Sequence, residues 1–414
     1  MKSIEVQIST ECGTLGLPPK LLGQAGRKLN WDANESNAFG LVAMVTAPPT
    51  YVGFSLADTW AHQRYFAAVD PLKAHLSLRH EWIDLDPHQK TILADDWGMG
   101  FPLLYLMEVL DMVHFAPTDY WVKSIELATG TKLVLKKGKQ GPPKLPDFIG
   151  MDTAGRYHAI ECKGTQKSRS ALSSAIKRGV PQVENLRALG ALPAAMHACF
   201  DSWLVAGLYV PTGNKKTRPL LKIADPDFSS LSDLIDRAGG IQAVTKAIFL
   251  TALCQQLASV GLRRLASILF SGKAQPSEIE LVRTQAGISE EARRAGFVTN
   301  GNFLVADRKT QIFDPQRQNV GARIREVKSS YSAPAKLVES LALTVQDNGN
   351  VNRQQLDLVL SNLVSALPGN EPRSTPLPRD EGRERTPWIS REVNGRSQLR
   401  SQFGIQIDTA LDSE

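Results

Sequence analysis

Two short runs, "LPDFIGMD" (145–152) and "YHAIECKG" (157–164), carry the clearest strand pattern in the chain. The signal "DTAGR" between them predicts a turn around Ala154 and Gly155, and so an antiparallel pair. "SWLVAGLYV" (202–210) is almost wholly apolar, as expected of a strand buried on both faces. Apolar positions recur at helical spacing in "FPLLYLMEVLDMVH" (101–114), where Pro102 suits a first turn. Strands are predicted at 120–127 ("YWVKSIEL") and, with a turn, at 131–143. Residues 170–189 read as a helix in two parts around Pro181.

Outside this stretch the pattern divides the chain. Residues 1–94 read as an N-terminal α+β region, 95–225 as an α/β core, and 226–367 as a mainly helical region with a β-hairpin near 297–313. Residues 368–414 read as a flexible tail, because 368–387 is proline-rich, charged and poor in apolar residues.

Side chains alternate faces along a strand, so Glu161 and Lys163 point one way while Ile160 and Cys162 point the other. The apolar pair can pack on the core while the charged pair shares an exposed face. If 146–150 is the neighbouring strand, Asp147 joins them. Charge by region sharpens this picture: residues 58–119 hold four basic and ten acidic side chains, whereas 120–190 hold thirteen basic and five acidic. The cations therefore gather around the three charged strand residues, in "KKGKQGPPK" (136–144) and "KGTQKSRS" (163–170). Such placement suits contacts to a phosphate backbone.

Two carboxylates held close together repel unless a cation neutralises them. Oxygen ligands with open water positions suit magnesium, and a neighbouring lysine adds a donor for the charge that builds on a phosphate. Metal, activated water and ammonium together make a phosphodiester hydrolysis site.

The sequence "PD", thirteen residues and then "ECK" (Asp147, Glu161, Lys163) resembles the signature of the PD-(D/E)xK nuclease superfamily. The resemblance covers roughly residues 95–215 and implies a restriction-endonuclease-like αβββαβ core, with N-terminal α+β and C-terminal mainly helical additions. It implies a Mg²⁺-dependent nuclease, with Mn²⁺ able to substitute and DNA favoured as substrate over RNA. Asp147 and Glu161 would ligate the metal, with the backbone carbonyl of Cys162 and the helical Glu108 as further candidate ligands. Lys163 would steady the water or the transition state, and Gln182 in "VPQVENL" would position a neighbour. A homodimer or partner subunit, and a role in restriction or anti-phage defence, follow by analogy alone. The alternative is a catalytically silent member of the fold that binds nucleic acid or assembles with a partner.

Other signals carry less. A second "ExK" (Glu326, Lys328, after Asp314) lacks the preceding apolar strand. "KTILADDWGMGF" (90–101) lacks the Gly-Lys-Ser/Thr ending of a phosphate loop. The histidines have no zinc spacing, and no serine sits in a nucleophile elbow. Four scattered cysteines suit a reducing compartment, and no leader or membrane-spanning run is visible, so a cytoplasmic protein is expected.

Overall fold

The computed structural model describes residues 1–9, 17–46, 65–129, 145–187, 200–213, 215–226, 241–259, 261–283, 298–300, 303–313, 324–365, 389–393, 396–400 and 406–411. The strand and turn expected at 131–143, the cationic stretch 136–144, the proline-rich stretch 368–387 and Asp314 lie outside these residues.

The chain is a mixed α/β protein built on a seven-stranded sheet. Its strands are β1 (Lys2–Ser9), β2 (Lys28–Ala33), β3 (Met112–Pro117), β4 (Phe148–Asp152), β5 (Tyr157–Thr165), β6 (Phe200–Tyr209) and β7 (Leu220–Ala224). They lie in the order β2-β1-β7-β6-β5-β4-β3. β5 pairs parallel with β6 and β1 parallel with β7, while the other neighbours run antiparallel. The apolar run at 202–210 becomes β6 in the middle of the sheet, where Leu204, Val205 and Ala206 are fully buried. β1 and β2, from the N-terminal region, extend the same sheet that holds the Asp147 and Glu161 strands.

The helices are α1 (Pro19–Leu22), α2 (Glu35–Thr46), α3 (Pro87–Leu110), α4 (Thr118–Thr129), α5 (Arg169–Arg187), α6 (Ile241–Ser259), α7 (Arg263–Ser271), α8 (Pro276–Arg283), α9 (Ala335–Ala342) and α10 (Arg353–Ser365). A 3₁₀ helix spans His80–Asp84. None of the described helices is long and apolar enough to cross a membrane.

Three expectations change. The helix expected at 101–114 begins at Pro87, where Asp86 caps it by accepting from His88 N (2.9 Å) and Gln89 N (3.3 Å). Pro102 therefore sits in its middle. Its last expected residues instead form β3, so the first strand of the core is 112–117 and not 120–127.

Residues 118–129 are helix α4, because Trp121, Val122, Ser124 and Ile125 fall at helical spacing on one buried face while Lys123 and Leu127 stay exposed. Strand-prone side chains misled the local reading, and packing decided it. α5 runs unbroken through Pro181.

A second, six-stranded sheet joins β8 (Val298–Asn300), β9 (Phe303–Phe313), β10 (Ile324–Pro334), β11 (Ile389–Val393), β12 (Arg396–Arg400) and β13 (Gln406–Leu411) in the order β11-β12-β13-β10-β9-β8. β8 and β9 are the two arms of a hairpin near 297–313. Three strands of this sheet come from beyond residue 388, where the composition reads as a tail.

Candidate active site

β4 and β5 form a hairpin in which Phe148 lies opposite Ile160. Beyond Ile160, β5 runs on without β4 beside it, so the N–H of Cys162 is left free of the ladder. Asp147 Oδ2 accepts that N–H at 2.8 Å. The Asp147 carbonyl accepts from Thr118 N at 3.0 Å, which fixes the backbone from the other side. The place where the two strands part is thus what carries Asp147 to Glu161.

The charged face is not open, as the alternation alone predicts. α5 lies on it, and Glu161 is fully buried. Gly179 permits the approach: a Cβ there would stand 2.7 Å from Val205 Cγ1 and 3.1 Å from Glu161 Cγ. Lys163 Nζ donates to Glu161 Oε1 and, at 2.7 Å, to Gln182 Oε1 one turn beyond Gly179. Four of the residues expected at a site, Asp147, Glu161, Lys163 and Gln182, therefore meet in one place, with the Cys162 backbone between them.

Their electrostatics are unfavourable. Burial, then the neighbouring Asp147 charge, pushes the Glu161 carboxyl up to about 8, with Lys163 opposing. Burial likewise raises Asp147, against help from the Cys162 N–H and Lys163, while Asp95 adds to the rise. Glu161 Oε2 is buried and makes no hydrogen bond of normal geometry. A buried carboxyl oxygen facing a second carboxyl must hold a proton or meet a cation. Burial also pushes the Cys162 thiol far up, which leaves it inert as a nucleophile.

Glu108 does not belong to this group. It lies thirteen residues further along α3 than Asp95, about 20 Å by the helical rise. There it is exposed and accepts from Trp31 Nε1 at 2.8 Å. The acid that α3 brings to the site is Asp95, whose carboxyl is raised by desolvation and held down by Lys163. The sequence offers a faint signal for it, the glycine three residues on: a Cβ on Gly98 would collide with the backbone of Lys163 and Gly164. Among the described residues no group of three His, Cys, Asp or Glu side chains stands close enough to hold a metal by itself.

Asp95 and Gly164 also line a cleft of about 1010 Å³. Its walls are the start of α3, the end of β5, the first half of α5 and the 3₁₀ helix with Trp82 and Ile83. Lys90, Lys167, Arg178 and Lys215 line it as well.

A second polar cluster occupies the other end of the hairpin. Asp152 Oδ1 accepts from the N–H groups of Ala154 and Arg156, each at 2.9 Å, and Oδ2 accepts from Arg156 Nε at 2.7 Å. His158 Nδ1 lies 2.7 Å from Ser202 Oγ, and its Nε2 lies 3.6 Å from Asp152 Oδ2. Serine, histidine and aspartate in this order resemble a hydrolase triad. All three are at most 1 % exposed, however, so no substrate reaches Ser202.

Glu326 and Lys328, the second "ExK", lie on β10 opposite Gln311 and Lys309 of β9. Comparison with protein-family models, with curated proteins and with solved structures returns no match for this chain.

Proposed function

We propose that the chain is a divalent-metal-dependent nuclease of the PD-(D/E)xK type, with DNA as its substrate. The observation that carries this reading is the buried Glu161 Oε2, which makes no normal hydrogen bond while Asp147 lies beside it. Lys163 reaches only Oε1, so at neutral pH this carboxyl must either keep its proton or share its second oxygen with a further cation. The residues present fit a hard divalent cation, because the donors are carboxylate oxygens with the Cys162 carbonyl as a further candidate. Such a cation would supply positive charge to a phosphate oxygen and to an attacking water.

The chain's own groups do the rest. Asp147 and Glu161 would hold the cation, and Asp147 is fixed by the Cys162 N–H. Lys163, held by Gln182, donates to the attacking water or to the oxygens that gain charge as the P–O bond breaks. Asp95, from α3, is the third acid in range of Lys163 and Asp147. The restriction-endonuclease-like core is supported by the sequence of strand, hairpin, helix and strand from β3 to β6, with α4 as an addition between β3 and β4.

Plasmid DNA incubated with Mg²⁺ tests the reading. Wild type is expected to cut or nick, and Lys163→Ala and Asp147→Ala to lose that activity. Equal cutting by all three would remove the site from consideration. The absence of any three-acid group at metal-binding distance among the described residues favours a second reading, a silent member of the fold that only binds nucleic acid. No cleavage with any divalent metal, together with retained binding, would select it.

A further inference from the structure

The cleft beside the acids has two unlike walls. Trp82, Ile83 and Pro87 give one apolar wall, and Ile83 is 39 % exposed. Lys167, just past the end of β5, and Arg178 of α5 line the cleft too, both exposed and, among the described residues, without an ion pair. Lys215 is exposed too, and its Nζ donates to the carbonyls of Gln166 (3.2 Å) and Lys167 (3.3 Å), which ties it to the rim. Trp82 Nε1 donates to the Ala67 carbonyl at 3.3 Å, so the indole is fixed while lining the cleft. Among the described lining residues Asp95 is the single acid, and it stands at the end nearest Lys163.

A duplex hides its base faces and offers phosphates on both flanks. It has no use for an aromatic wall, and a space of about 1010 Å³ is the size of a small-ligand site. An unpaired strand offers what the two walls match, base faces for Trp82 and phosphates for the cations. We infer that the cleft holds a short unpaired segment of nucleic acid, with bases against Trp82 and phosphates on Lys167, Arg178 and Lys215, and leads that strand to Asp147 and Glu161. The last clause rests on the nuclease reading, whereas the binding itself does not.

The test is fluorescence anisotropy on the full chain, with EDTA present so that nothing is cut. The probes are labelled oligothymidine, oligouridine of the same length, and a duplex of that length. At least one unpaired probe is expected to bind about tenfold more tightly than the duplex, and the two sugars tell DNA from RNA. Trp82→Ala should weaken unpaired binding about tenfold, as loss of one stacking partner does. The double variant Lys167→Ala/Arg178→Ala, altered only at exposed positions, should lower the slope of log affinity against log salt by about 1.4, or about 0.7 per phosphate.

Equal affinity for duplex, equal competition by polyglutamate, or wild-type binding by the double variant would overturn the inference. Loss of unpaired binding in the variants without cleavage under any metal would keep the cleft and sink the nuclease. Metal-dependent cleavage with KM unchanged in the double variant would do the reverse.

Discussion

The two ends of the β4–β5 hairpin each hold an aspartate, Asp152 buried and Asp147 half-buried, and they treat it in opposite ways. Burial alone would raise the Asp152 carboxyl, but the nearby His158 ring, 3.6 Å away, and the hydrogen bonds from Arg156 outweigh it and hold it below its ordinary value. At the other end Asp147 has the Cys162 N–H, the Lys163 charge and a hydrogen bond shared with Glu161, and both acids still stay raised by burial. The same two strands therefore carry one carboxyl held down by its donors and a pair of acids held up by burial. Satisfied polar networks fix structure, whereas strained acid pairs wait for something the fold does not itself provide.

The largest expected effect lies at the strained end. Lys163→Ala should lower the cleavage rate by about 10²–10³-fold, the loss typical of one electrostatic donor, with a smaller loss of stability than Asp152→Ala because Glu161 can keep its proton. Kinetics and thermal melting on one preparation measure both halves. The mirror experiment is Asp152→Ala, which leaves the N–H groups of Ala154 and Arg156 without their acceptor. It should cost about 3 kcal/mol in denaturant unfolding. If Asp152→Ala were harmless and Lys163→Ala unfolded the protein, the contrast between the two ends would be reversed.

pH separates the ends more finely. Glu161 titrates near 8 when folded and at the ordinary carboxylate value when unfolded, so the folded state holds the extra proton in between. Stability from this group is full at low pH and is lost as pH rises from about 4.5 towards 8. Glu161→Gln should therefore be more stable than wild type by a few kcal/mol at pH 8 and about equal to it near pH 4.5. Asp152 has the opposite sign: its contribution is present above the ordinary aspartate value and is lost as pH falls below it. An Asp152→Asn variant should flatten the acid limb of the stability curve and leave the alkaline limb unchanged. The smallest effect is expected of Glu108→Ala, which should leave cleavage within error of wild type. A large loss there would mean that the wrong end of α3 has been read as remote.

Period-two alternation placed Glu161 and Lys163 on one side of a strand, and the turn at Ala154-Gly155 is where the hairpin closes. What alternation could not tell was that this side is covered, because Gly179 lies on another element and its approach is a tertiary fact. Asp95 escaped for the same reason. The one local signal, Gly98, does not by itself tell it from Asp96, which takes a hydrogen bond from Tyr65. Glu108 stands out in the sequence because the apolar 101–114 places the start of α3 fourteen residues too late, past its cap at Asp86-Pro87.

The outer half of the sheet was beyond reach altogether. Glu5 of β1 pairs with Leu220 of β7, a distance along the chain that no local pattern spans.

At Gly164, one residue after Lys163, a Cβ would collide with the carbonyl of Ala94 in α3. That missing methyl works as a ruler. It sets the offset between the helix that carries Asp95 and Lys90 and the strand that carries Glu161, so floor and wall of the cleft shift together or not at all. A change in the calibre of this cleft must then come from the walls outside that contact, the 3₁₀ segment around Trp82 and α5.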